Sequence, residues 1–259
     1  MRNRLDCSSL DLSTRLEKLY STLTSPPENT RPTSLGSSIC LFGPERYEPR
    51  YDYPLIVWLH SCNSNEQELS QLMPNLSMQN YVACAPRGTR ATDPCGKQFQ
   101  WGTSATSVAV AEESVFAAID AATSQFSIAR NRIFLAGFGG GASMAWRIGL
   151  RYPDYFAGVV NVCGQFPTQN QPLAKVALAR HLPTLWMYGE ESSRSGVDHI
   201  CEVLPVMHSA RLSVHMRQYP CGDELLTNML SDMNSWLMER VTNQPARFED
   251  IREESFSRN

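Results

Sequence analysis

The sequence predicts an α/β domain: a doubly wound, mostly parallel sheet with helices on both faces. Short runs such as Pro54-Leu55-Ile56-Val57-Trp58-Leu59-His60 and Tyr81-Val82-Ala83-Cys84-Ala85-Pro86 are apolar along their length instead of alternating. That pattern marks strands covered on both sides. Between such runs, apolar residues recur at helical spacing, as at Val108, Ala111, Val115, Ile119, Ala122 and Phe126. Strands and helices then take turns along the chain, which short right-handed crossovers convert into parallel pairing.

Taken in order, Ile39 to Phe42 reads as a strand and residues 54–60 as a buried one, followed by a helix over Glu66 to Met78 and a strand over residues 81–86. A helix over Val108 to Phe126 precedes a β-branched and apolar strand, Ile133 to Ala136, and a helix from Ala142 to Tyr152. Next come strands Phe156 to Cys163 and Leu182 to Tyr188, a helix Val197 to Ala210, and a strand Leu212 to Tyr219. The last helix, Glu224 to Val241, carries a stripe of Leu225, Met229, Met233, Trp236, Leu237 and Val241. Residues 164–181 are too few for a large lid domain. Residues 1–37 read as an appendage, with helical spacing at Leu12, Leu16, Leu19, Tyr20 and Leu23 and then a proline-rich breaker. Residues 38–243 form the domain, and 244–259 a charged tail expected to be disordered.

At 259 residues the chain is long enough for a sizeable core. A net charge of -3 makes no case for nucleic acid or an anionic membrane as partner. No stretch approaches the ~20 apolar residues of a membrane span. The N-terminus lacks an apolar export segment, so a cytoplasmic protein is expected. Eight cysteines include no C-x-x-C pair, and no metal or cofactor is called for. The thiols are expected to be mostly reduced.

The most informative stretch is Phe134-Leu135-Ala136-Gly137-Phe138-Gly139-Gly140-Gly141-Ala142-Ser143. A strand runs through small residues into a helix, the setting of a G-x-S-x-G nucleophile elbow. Gly137 and Gly141 hold the outer positions, and Gly139 stands where the serine belongs. Other segments join it: Leu59-His60-Ser61-Cys62-Asn63, Ala85-Pro86-Arg87-Gly88-Thr89-Arg90, Leu150-Arg151-Tyr152-Pro153-Asp154-Tyr155-Phe156-Ala157-Gly158, and Tyr219-Pro220-Cys221-Gly222-Asp223. Together they resemble the α/β-hydrolase superfamily, in its lidless carboxylesterase/phospholipase-like branch. The first matches that family's oxyanion loop, and the last the segment that delivers its catalytic histidine.

The resemblance puts the nucleophile at Gly139, the base at Asp223 and the acid at Ser192, so none of the three catalytic roles is intact. Glycine has no attacking atom, and an aspartate is a weak base toward a serine hydroxyl. Asp223 reads better as the N-cap of the last helix. Glu191 is a neighbouring carboxylate with no histidine to orient. Ser143 lies a turn into the helix, where packing is its expected role. The oxyanion donors are backbone N–H groups and survive side-chain change. By resemblance they belong to Gly140 and to Cys62 or Ser61. His60, Trp101, Cys163 and Cys221 are candidates for the pocket; with Cys62, the cysteines and His60 could also form a thiol centre or soft-metal site.

The expectation is a binding pseudoenzyme that takes a small carbonyl, carboxylate or phosphate-bearing ligand. An ester or thioester hydrolase with non-standard groups is the alternative, and an interaction scaffold is a further one. The sequence does not set the oligomeric state.

Overall fold

The computed structural model describes residues 38–169, 171–194 and 196–243. The N-terminal appendage and the charged tail expected from the sequence lie outside these. The strands are β1 (Ile39–Phe42), β2 (Tyr53–Leu59), β3 (Val82–Pro86), β4 (Arg90–Ala91), β5 (Phe99–Gln100), β6 (Ile128–Phe138), β7 (Gly158–Val162), β8 (Thr184–Gly189) and β9 (Val214–Tyr219). The helices are α1 (Glu68–Leu76), α2 (Ala105–Gln125), α3 (Gly140–Arg151), α4 (Val176–Ala179), α5 (Val197–Ala210) and α6 (Thr227–Asn243).

The main sheet has seven strands in the order β1-β3-β2-β6-β7-β8-β9. Only β1 pairs antiparallel; every other neighbour is parallel. Two apolar cores lie on its two faces. Leu55, Val57 and Leu59 of β2 join Val115, Trp146 and Met207 in one core, which is closed by α2, α3 and α5. Ile56 and Trp58 join Leu69, Met73, Met233 and Leu237 in the other, beneath α1 and α6. Every β2 residue is buried, which explains why its sequence shows no polar alternation. Trp58, Trp146 and Trp186 are fully enclosed, and each buries on the order of 150–250 Å² of mostly apolar surface.

The doubly wound reading of the sequence therefore holds, with differences at element ends. Strand β6 starts at Ile128, not Ile133, because its register against β2 jumps from Tyr53↔Ile128 to Leu55↔Ile133. The polar Arg130, Asn131 and Arg132 sit in that irregularity and broke the apolar run. The β4–β5 ribbon and the one-turn α4 are too short to leave a period in the sequence. The final helix begins at Thr227, three residues after the expected Glu224, because Asp223 and Glu224 are engaged in the preceding loop. Among the described residues no helix is long and apolar enough to cross a membrane.

The order of the strands locates the functional edge. From β2 the chain crosses to β3 on one side, then returns past β2 to β6 on the other. The carboxyl ends of β2 and β6 therefore flank the switch point, where open α/β sheets bind ligands.

Candidate functional site

At the end of β6, Gly139 has φ +56° and ψ -117° and caps α3. A side chain in this conformation is strained by about 1–3 kcal/mol, so glycine relaxes the turn while preserving its shape. The shape is held by close backbone packing. A Cβ on Gly141 would stand 2.1 Å from the Leu59 carbonyl oxygen, and one on Gly137 2.7 Å from the same atom. These glycines let α3 start directly against the end of β2. Around Gly139 itself there is room: the nearest atom to a Cβ there is Nη1 of Arg194, 3.9 Å away. A guanidinium thus borders the place of the missing nucleophile.

The opposite wall is the loop after β2. Glu68, at the start of α1, fixes it by accepting from Trp58 Nε1 (2.8 Å), the Ser61 amide (3.1 Å to each oxygen) and Ser61 Oγ (2.7 Å). This carboxylate positions the loop that presents the Cys62 amide. A Cβ on Gly140 would lie 2.6 Å from Cys62 Sγ, so the thiol rests against the backbone of the elbow. The first amides of α3 have no carbonyl a turn earlier to bond, which leaves Gly140 N–H available beside Cys62.

His60 is fully buried. Its Nε2 accepts the Gly88 amide at 2.8 Å, and its Nδ1 bonds the Ser61 carbonyl at 2.7 Å, which places the ring proton on Nδ1. Burial lowers its pKa, against the Ser61 bond that favours the charged form. Trp101 Nε1 donates to the His60 carbonyl (2.9 Å), and the two rings stand 5.2 Å apart. His60 and Trp101, expected as pocket residues, are both buried and brace the loop after β2 through these bonds. Glu66 anchors the neighbouring loop through Arg87 and Ser38.

Ser192 and Asp223, where the resemblance places the acid and the base, are hydrogen-bonded to each other. Ser192 Oγ donates to Asp223 Oδ1 at 2.5 Å, Ser193 Oγ donates to Oδ2 at 2.7 Å, and Arg194 Nε lies 3.7 Å from Oδ2. Burial pushes the Asp223 carboxyl up, but the two hydroxyls and Arg194 outweigh it and hold it below the ordinary carboxylate value. That makes Asp223 a poorer base still. Its carboxylate is spent on this loop, so the N-cap role expected from the sequence is corrected: α6 starts four residues later, at Thr227.

Cys163 and Cys221 are buried. Burial pushes the Cys163 thiol up to about 12 and raises that of Cys221, which suits neither a thiolate nucleophile nor a soft-metal ligand. Ser143 Oγ donates to the Gly139 carbonyl (3.3 Å) and accepts the Gln165 amide (2.8 Å). Glu191 is exposed. Arg194, Glu68 and Ser193 were not legible as site residues. Arg194 reaches the elbow from the loop after β8, and no spacing in the sequence links it to Gly139.

The comparisons agree with this architecture. The family model described as Phospholipase/Carboxylesterase matches residues 97–240, more than half of the 259-residue chain. The Nocardia uniformis subsp. tsuyamanensis protein NocK, an esterase by name, is 35% identical over 74 residues. That match spans 29% of this chain and only 21% of NocK. Among solved structures, a carboxylesterase from Mesorhizobium loti superposes with a TM-score of 0.65 at 17% identity, covering 82% of this chain and 99% of its own. A Bacillus cereus carboxylesterase gives 0.63 at 17% identity, with coverages of 79% and 94%. Acyl-protein thioesterase 2 from Zea mays gives 0.58 at 17%, with 78% and 98%. At these identities the solved structures speak for the fold alone. With the sheet order, the glycine-lined elbow and the family match in agreement, the chain belongs to the phospholipase/carboxylesterase family of α/β-hydrolases.

Proposed function

We propose that this chain is a binding member of its family without Ser-His-Asp turnover. Its vacated elbow holds an oxygen of a small carbonyl, carboxylate or phosphate-bearing ligand. The observation that carries the reading is Gly139 in the elbow conformation, with the Arg194 guanidinium bordering the space where a nucleophile would stand. The pairing of Ser192 with Asp223 supports it, because the atoms that would polarise a nucleophile hold each other instead. Cys62 supplies a thiol at the site, but both nitrogens of the neighbouring His60 are engaged elsewhere, so that ring is no base for it.

The donors favour an oxyanion. Gly140 and Cys62 offer amides, and Arg194 offers a fork of N–H groups of which Asp223 engages one side. Half of the Arg194 side chain is exposed, so its ion pair with Asp223 is worth little and yields readily to a ligand. A cytoplasmic place fits the described cysteines, which are unpaired.

Calorimetric titration with inorganic phosphate and with acetate tests the proposal. Saturable binding is expected, weakened roughly tenfold or more in Arg194→Ala, since a charge-assisted hydrogen bond contributes about 1.5–3 kcal/mol. No binding by either anion would leave the scaffold reading in its place.

A further inference from the structure

Between α5 and the loop that follows β7 lies a cavity of about 570 Å³. Its walls are mainly Phe166, Pro167, Leu173, Val203 and Val206, with His199 among them. The volume falls in the range of small-molecule sites, roughly 300–1,000 Å³, and so does the mix of apolar walls with few polar groups. Nothing in the reading of the elbow uses this cavity.

The cavity is built from anchored parts. Phe166 packs edge to face on the buried Trp146, with ring centres 5.1 Å apart. The preceding Gly164 carbonyl accepts from Trp186 Nε1 at 3.1 Å. Further along, the guanidinium of the buried Arg147 donates to the Gln169 carbonyl. Burial lowers the Arg147 pKa, a cost that this bond to the loop offsets. On the other side, Ile200, Val203 and Met207 fix α5 in the core. Phe166 on one wall and Val203 on the other are therefore held by the core.

The polar side chains at the cavity are those of Thr168, Gln171, His199 and Glu202. His199 Nε2 accepts the Phe166 amide at 3.3 Å, which leaves the ring proton on Nδ1 as a donor. The one carboxylate on the wall is the exposed Glu202. Thr168 and Gln171 add neutral polar groups to the lining; with the methyl groups, the ring face, the imidazole donor and an acidic rim, they suit an uncharged molecule and repel an anion.

We propose that this cavity is a binding site for an uncharged aromatic or short aliphatic molecule with one hydrogen-bond acceptor. Its lining differs from that of the pocket holding Arg194 except at His199, which borders both. The site is open to solvent along Val206, which is 45% exposed, and along the exposed Ala174.

Fluorescence titration of the full chain with 1-naphthol tests the proposal, with 1-naphthoate as the anionic counterpart. Both run in the Arg194→Ala background, which reduces the elbow's share of the carboxylate. Saturable 1-naphthol binding is expected. It should be weakened at least tenfold by Val206→Trp and by Ala174→Trp, whose new rings enter from solvent and leave the core intact. Thermal unfolding of each variant confirms that it folds. Phosphate binding to the wild-type elbow should be unchanged by either tryptophan, so failure here and failure of the elbow reading are distinguishable. Absence of saturation, equal 1-naphthol binding by the Arg194→Ala protein with and without each tryptophan, or tighter binding of 1-naphthoate than of 1-naphthol would each overturn it.

Discussion

Replacing Gly139 with alanine isolates the strain that a nucleophile would have stored. The Cβ would meet nothing nearer than Arg194 Nη1 at 3.9 Å, so crowding contributes almost nothing. What remains is the backbone at φ +56° and ψ -117°, a region costing a side chain about 1–3 kcal/mol. Alanine also reduces the freedom of the unfolded chain, which returns about 0.4–1 kcal/mol. The net loss is then about 0–2.6 kcal/mol, with a midpoint of about 1.3 kcal/mol, or a fall in Tm of about 3–5 °C at the midpoint for a domain of this size. Urea and thermal unfolding of both proteins measure it. Gly141→Ala is the contrast: its Cβ would sit 2.1 Å from the Leu59 carbonyl, and backbone must move. Its loss should exceed that of Gly139→Ala severalfold. A Gly139→Ala protein more stable than wild type would refute the idea that the elbow is kept in its strained shape.

Other perturbations probe the surrounding parts. Glu68→Ala removes the acceptor shared by Trp58 and Ser61; it should cost about 1–3 kcal/mol in urea unfolding by leaving the Trp58 N–H unpaired, and should loosen anion binding as well. Acid should destabilise the fold in two stages. His60 has a lowered folded pKa, so the unfolded chain takes up the proton first and stability falls as pH drops below the ordinary histidine value of 6.5. Glu66 is pushed up by burial but held down further by Arg87 and Ser38, so its contribution is present above 4.5 and lost as pH falls through the folded value. In urea midpoints against pH, His60→Gln should flatten the first stage and leave the second. Gly139→Ser alone should not hydrolyse p-nitrophenyl acetate. Adding Asp223→His and Ser192→Asp should give weak hydrolysis, because those two positions already meet at 2.5 Å; fast turnover by the single variant would show that the base lies elsewhere.

Fold and site differ in how far the sequence exposes them. Strands such as β2 were readable because burial on both faces demands an unbroken apolar run, and α2 because its core stripe repeats at the helical period. The start of β6 was hidden by a register shift that tolerates Arg130, Asn131 and Arg132. Within the site, the vacancy at Gly139 and the convergence of positions 192 and 223 follow from motifs with fixed places on the sheet edge. Arg194 and Glu68 do not, because they reach the site through side-chain direction and loop closure. Asp223 misled for a related reason. An aspartate before a helical stretch looks like a cap, but a pair of serines thirty residues earlier claims its oxygens and delays the helix.

The central claim is that the elbow keeps the architecture of acyl transfer without its catalyst. Intact-mass measurement after incubation with a fluorophosphonate, alongside p-nitrophenyl ester turnover by the same sample, tests it most directly. An unmodified mass and a rate equal to buffer are predicted. One stoichiometric adduct mapped to a serine, accompanied by turnover that the adduct abolishes, would contradict it.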